Sequence, residues 1–155
     1  MQRLTQRKVI LLGIRTAPNP MNIYDHLKQA EGFRARPYDD VGNLSIGFGR
    51  NLTSLGISES EALTMLTNDV ERVRSELKDR YDWYLTLDPF RAMTVEALVY
   101  NIGISRFGQF KNCIAGLSQG KWEDAAVEIY PNSLYAKQLP DRALKYATWI
   151  RKGEE

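Results

Sequence analysis

Glu31, Asp39, Asp40 and Ser45 are the residues whose types and spacing suit chemistry: two adjacent aspartates follow the glutamate by eight and nine positions, and a hydroxyl comes five after the second. Cleavage of a glycosidic bond needs a set of this kind. One carboxylic acid protonates the leaving oxygen, while a second carboxylate helps water attack or stabilises the cationic sugar. A glutamate that closes a helix meets the negative end of the helix dipole, which favours the protonated form a general acid requires. The same spacing also fits three solvated surface carboxylates, because acids are common and usually exposed. Residue types alone leave both readings open.

The elements that must position these groups can be read from capping and periodicity. Asn22 caps a helix with Asp25 in its first turn and Ile23, Leu27 and Ala30 as its apolar face; Glu31 ends it and Gly32 stops it. From Arg34 to Arg50 the pattern is that of strands: Pro37 blocks a helix, Val41-Gly42-Asn43 reads as a turn, and Leu44, Ile46 and Phe48 alternate with Ser45, Gly47 and Gly49. That alternation predicts a strand whose apolar residues face a core, with Ser45 on the opposite face. Ser58 and Glu61 form a capping box for a long amphipathic helix over 59–80, with Leu63, Leu66, Val70, Val73 and Leu77 inward. Asp88-Pro89 opens another helix that runs to Gly103, and three further helical segments follow, around 110–117, around 122–129 and after Pro140. The fold class is α+β and mostly helical. We expect a basic extension over 1–20, then a domain over 21–155: a small α/β lobe at about 33–80, and a helical lobe at about 81–155 that includes the helix 22–31.

Composition removes several function classes. The net charge of +2 conceals a leader, residues 1–20, that carries +4 from Arg3, Arg7, Lys8 and Arg15 with no acid, so residues 21–155 sum to −2. A nucleic-acid reader gathers basic charge on its folded body, so no nucleic-acid partner is expected. The apolar run Val9–Ile14 is too short to span a bilayer, and no signal peptide or membrane insertion is read from it. Cys113 is the one cysteine and His26 the one histidine, too few for a Cys/His metal set; no metal or cofactor is expected, and both residues read as structural. Gly47-Phe48-Gly49 lacks the third glycine of a dinucleotide fingerprint, and no serine has a nucleophile-elbow sequence for His26 to serve.

Glu31-Gly32-Phe33-Arg34, Pro37-Tyr38-Asp39-Asp40 and Leu44-Ser45-Ile46-Gly47-Phe48-Gly49-Arg50-Asn51-Leu52 together resemble the amino-terminal signature of the phage-type lysozymes. The likeness extends over roughly 21–150 through Ile57-Ser58-Glu59, Asn101-Ile102-Gly103, Lys121-Trp122-Glu123-Asp124-Ala125-Ala126 and Pro140-Asp141-Arg142-Ala143. The resemblance implies a two-lobed lysozyme fold and hydrolysis of peptidoglycan, with inversion, at the β-1,4 bond between N-acetylmuramic acid and N-acetylglucosamine. Inversion agrees with carboxylates about 6.5–9.5 Å apart, which admit a water. By the same resemblance Glu31 is the general acid, Asp40 the second carboxylate and Ser45 the hydroxyl that positions the water. Asn51, Tyr100, Cys113 and Glu128 fall where the family lines its saccharide cleft. Arg142 falls where a basic residue pairs with the catalytic glutamate, and Arg50 with Asp69 resembles an ion pair of the small lobe. No cofactor is implied. The implied protein is a monomer, made in the cytoplasm of an infected cell before it reaches the wall.

Two departures matter. Four residues separate Asp40 from Ser45 where the family usually has five, so either Asp40 or Asp39 keeps the family spacing; Asp40 preserves both the Tyr-x-Asp step and the distance from Glu31. Serine replaces threonine at 45, which keeps the hydroxyl but loses the β-branch that fixes its rotamer. A lytic transglycosylase acting on the same bond and a non-catalytic wall-binding module are the alternative readings.

Overall fold

A computed structural model describes residues 22–155. The chain divides into two compact units between Ile57 and Ser58, and the expectations that concern residues 1–20 lie outside the described residues.

The first unit opens with α1 (Ile23–Glu31), whose cap is the one read from sequence: Asn22 Oδ1 accepts from the Asp25 amide at 3.0 Å. Gly32, at φ +68°, ends the helix and donates its N–H to the Lys28 carbonyl at 3.1 Å. The expected inward stripe is different. No residue of α1 is buried, and Ile23 is 60% exposed, because no described layer of this unit lies over that face.

Three antiparallel strands follow in the order β1 (Arg34–Asp40), β2 (Asn43–Gly47) and β3 (Arg50–Asn51). A two-residue loop, Val41-Gly42, closes the first hairpin with φ of 51° and 82°, the left-handed pair that matches the strand twist. Asp40 stands opposite Asn43, Asp39 opposite Leu44 and Tyr38 opposite Ser45, and an irregularity then shifts the register before Arg34 meets Gly47. The turn Gly47-Phe48-Gly49 leads into β3, and α2 (Leu52–Leu55) begins at once, capped by Asn51 Oδ1 on the Ser54 amide at 3.0 Å.

The strand forms as Asn43–Gly47, but its polarity is the reverse of the expectation. Ser45 is 1% exposed, whereas Leu44 is 47% exposed and Ile46 is half-buried; Phe48, 46% exposed, lies beyond the strand in the turn. β2 is the central strand, and Ser45 lies in the ladder between Tyr38 and Asn51. Among the described residues of this unit, no second layer lies over the large residues of the other face. Alternation located the strand and could not say which face would be covered.

The second unit begins with α3 (Glu59–Arg80). Its capping box is complete: the Glu61 amide donates to Ser58 Oγ at 3.3 Å, and the Ser58 amide to Glu61 Oε2 at 2.7 Å. Of the apolar positions expected inward, Val73 and Leu77 are buried while Leu63 is 60% exposed. The helix therefore packs by its C-terminal half, and the whole of α3 falls within the second unit. A 3-10 turn (Asp82–Thr86) leads to α4 (Pro89–Ile102), whose cap Asp88 Oδ1 accepts from the amides of Phe90 and Arg91 at 3.2 and 3.0 Å.

Then come α5 (Ile104–Phe107), α6 (Lys111–Ser118), α7 (Trp122–Ile129), α8 (Leu134–Gln138) and α9 (Pro140–Lys152). The segments expected near 110, 122 and 140 are α6, α7 and α9. Helices as short as α5 and α8 carry too little sequence for a period to show. Val95, Leu98, Val99, Phe107, Leu117, Ile129, Ala147 and Ile150 form the centre of the core with Val73 and Leu77.

Arg91 ties the ends of this unit together. Its Nε donates to the Ile150 carbonyl at 2.7 Å and Nη2 to the Arg151 carbonyl at 2.9 Å, satisfying the end of α9, while Nη1 reaches Asp88 Oδ2 at 2.9 Å. The guanidinium also lies 4.2 Å from the Trp122 ring centre. Burial pushes the Asp88 carboxyl up, but hydrogen bonds from Arg91 outweigh it and hold the group below its usual range.

Candidate active site

Glu31 is the last residue of α1 and is exposed. Its carboxylate lies against the β2–β3 turn: a β-carbon built on Gly49 would stand 2.9 Å from Oε2 and 3.3 Å from Cδ. Gly49 has φ +75°, a conformation that favours a residue without a side chain, and a side chain there would also displace the carboxylate from its present position. The end of α1 and the turn after the Ser45 strand thus meet at Glu31.

The ladder separates the two aspartates. Directly opposed residues of antiparallel strands share a face, and faces alternate along each strand. With Asp40 opposite Asn43 and Tyr38 opposite Ser45, those four residues share one face, while Asp39 and Leu44 share the other. Asp39 has a local role in the hairpin, where its Oδ1 accepts from the Gly42 amide at 3.3 Å. Asp40 is exposed at the end of β1, and Ser45 is the buried hydroxyl of the same face.

Asn51 and Arg50 lie beside them on β3. Asn51 is opposite Ser45 in the ladder and uses its side-chain oxygen to cap α2. Arg50 Nε donates to the Gly56 carbonyl at 3.1 Å.

The remaining site residues lie in the second unit. Tyr100, on α4, is 48% exposed and lines a cavity of about 370 Å³ with Leu66, Val70, Met93 and Glu96. Glu96 is held by two neighbours: Tyr84 donates to its Oε1 at 2.5 Å and Arg74 Nε to its Oε2 at 3.1 Å. Burial, with the neighbouring Glu96 carboxylate, raises the Tyr84 hydroxyl above the ordinary phenol range. Arg142, on α9, donates to Asn101 Oδ1 at 2.6 Å. Glu128 is half-buried, accepts from Asn132 Nδ2 at 3.4 Å, and lines a shallow cavity of about 210 Å³ with Gln109 and Asn132. Asp69 pairs with Arg72 at 3.1 Å.

Cys113 differs from the other residues assigned to the cleft. It is 0% exposed, and burial, with the Glu128 carboxylate adding to it, pushes the thiol up to about 12. A neutral, enclosed thiol is neither a nucleophile nor a surface group, which does not fit the cleft position that the resemblance gave Cys113. The sequence reading placed Gly49 in the strand alternation and in the family motif but gave it no place beside Glu31; the signal was its position in the Gly-x-Gly turn. Among the described residues no group of three or more His, Cys, Asp and Glu could hold a metal ion, and no helix is long and apolar enough to cross a membrane.

Two relatives from Dictyostelium discoideum resemble the chain over most of its length. One, named probable T4-type lysozyme 2, is 27% identical over 85% of this chain and 95% of its own. The other, named probable T4-type lysozyme 1, is 25% identical over the same shares. A family model described as phage lysozyme matches residues 28–141, a stretch that begins within α1 and contains every site residue named above except Arg142. With more than half of its length matched and an α+β, mostly helical fold, this chain belongs to the phage lysozyme family.

Proposed function

We propose that this protein is a peptidoglycan hydrolase that cleaves the β-1,4 bond between N-acetylmuramic acid and N-acetylglucosamine with inversion. Membership of a lysozyme family supports the hydrolase and its polymer. One observation carries the finer reading: the Glu31 carboxylate lies against the turn that follows the Ser45 strand, and Asp40, not Asp39, shares the Ser45 face.

Glu31 protonates the glycosidic oxygen as the bond breaks. Asp40 takes the proton of the attacking water or stabilises the positive charge that develops at the sugar. Ser45 holds that water; its burial in the central strand restrains the hydroxyl in place of the missing β-branch. By the family resemblance Tyr100 and Glu128 are assigned to the polymer and Arg142, Arg50 and Asp69 to supporting roles, while Asn51 orders the strand beside Ser45.

The test is release of reducing ends from purified peptidoglycan, with mass analysis of the products, by the parent chain and by Glu31→Gln, Asp40→Asn and Asp39→Asn. Hydrated reducing ends are expected, with turnover reduced by roughly 10²-fold or more in the first two variants and retained in the third. Anhydro products that survive Asp40→Asn would establish a transglycosylase. A folded parent that binds wall material and releases nothing would be a binding module.

A further inference from the structure

The first unit carries a pair of aromatic rings that the acid–base set does not use. Phe33 and Phe48 stand 5.4 Å apart between ring centres at 49°. Phe33 is 68% exposed and Phe48 46%. Single exposed apolar residues are ordinary, but two rings in contact at one edge of a small sheet form a surface that is costly to leave in water. Their place is specific. Phe33 follows Glu31 by two residues, and Phe48 is the middle residue of the turn whose next member, Gly49, is the one the Glu31 carboxylate lies against. Gly47 and Gly49, at φ +68° and +75°, shape the turn that places Phe48 next to the glycine the Glu31 carboxylate approaches.

We infer that Phe33 and Phe48 form a stacking wall for a pyranose ring of the glycan strand next to the bond that Glu31 protonates, and that they are positioning residues for that sugar. This rests on the hydrolase reading above. A pyranose chair presents one face of C–H bonds and a rim of hydroxyls. An exposed aromatic ring meets the C–H face while the hydroxyls stay in water, which an aliphatic side chain of similar area cannot match in shape. The tilt between the rings lets one lie flat against the sugar while the other closes its edge. The sugar's plane is then fixed relative to the Glu31 carboxylate, and misplacement by about 1 Å is enough to lose a large factor in rate.

The experiment measures binding and turnover separately, on peptide-free glycan strands prepared by removing the stem peptides from peptidoglycan. Binding is measured by calorimetry in the Glu31→Gln background, and turnover as reducing ends in the active chain. Phe48→Ala and Phe33→Ala, changes at exposed positions whose folding is checked by thermal melting, are expected to weaken binding and raise KM about 3–10-fold, the range for an aromatic contact beyond simple area. Phe48→Trp is expected to keep or improve affinity, whereas Phe48→Leu, apolar but without a flat face, is expected to behave like Phe48→Ala. Parent-like affinity and KM in both alanine variants would overturn the wall, and so would full affinity in Phe48→Leu. If the Glu31→Gln chain binds strands but the parent does not cleave them, the hydrolase reading fails while the binding series still decides the wall. No binding of strands by a folded parent would overturn both.

Discussion

Cys113 and Val41 show how differently one residue can respond to its surroundings. The Cys113 thiol is enclosed, and burial raises its pKa from 9 to about 12. A group that is neutral in the fold and ionises once unfolded stabilises the protein fully below its unfolded pKa and loses that contribution as pH rises. Thermal stability is therefore expected to fall between about pH 9 and about pH 12 with a component that Cys113→Ser lacks. The thiol should react with a disulfide reagent only in denaturant, a measurement independent of the melt. Val41 sits at the opposite extreme, 95% exposed and at φ +51°. A β-branched residue in the left-handed region is strained, with a cost of about 1–2 kcal/mol, and it has no packing to lose. Val41→Asn, which tolerates that conformation, is expected to raise stability by about 1 kcal/mol in denaturant titration. Loss of stability would show that the exposed valine contributes something its surroundings do not reveal.

Helix pairs in the second unit are set by small residues as much as by large ones. α6 and α7 approach so closely that a β-carbon on Gly116 would stand 2.8 Å from the Ala125 backbone nitrogen and 3.0 Å from its Cβ. Alanine ordinarily gains about 1 kcal/mol over glycine inside a helix. Here the obstruction is partly backbone, which cannot turn aside, so packing wins over propensity. Gly116→Ala is expected to destabilise by about 1–3 kcal/mol, and Ala125→Gly in the same chain to recover only the part due to the Cβ contact. A double-mutant cycle by urea unfolding reads both terms. At the same scale, the Arg91 fork on the end of α9 required a tertiary fold: its carbonyl partners at Ile150 and Arg151 lie about sixty residues along the chain. No local spacing rule announces such a cap.

Across the whole molecule the apolar core is uneven. Every buried apolar residue among those described lies from Val73 onward, and the one buried residue of the described first unit is Ser45. A helical unit with its own continuous core should fold without the strands, whereas a three-stranded sheet with its apolar face open should not fold without help. The fragment Ser58–Glu155 is accordingly expected to show helical circular dichroism and a cooperative melt. The fragment spanning residues 22–57 should show neither. A non-cooperative melt for Ser58–Glu155 would mean that the strands supply stability the burial pattern does not show.

Much of this was legible in the sequence, for a local reason. Caps, glycine stops and turn glycines act within three or four residues, so α1, the hairpin at Val41-Gly42, the Ser58–Glu61 box and the Asp88-Pro89 start could all be placed before any fold was known. The acid–base candidates followed from residue type and order, and the family from motifs in register. Tertiary structure alone decided which faces would be covered. It buried Ser45 in place of Leu44 and Phe48, left the N-terminal half of α3 and the stripe of α1 open, and enclosed Cys113. It also brought Glu31 onto Gly49 and divided Asp39 from Asp40 by strand register. Periodicity states that a face is apolar, but coverage depends on a second layer contributed by distant chain, and no local pattern encodes that.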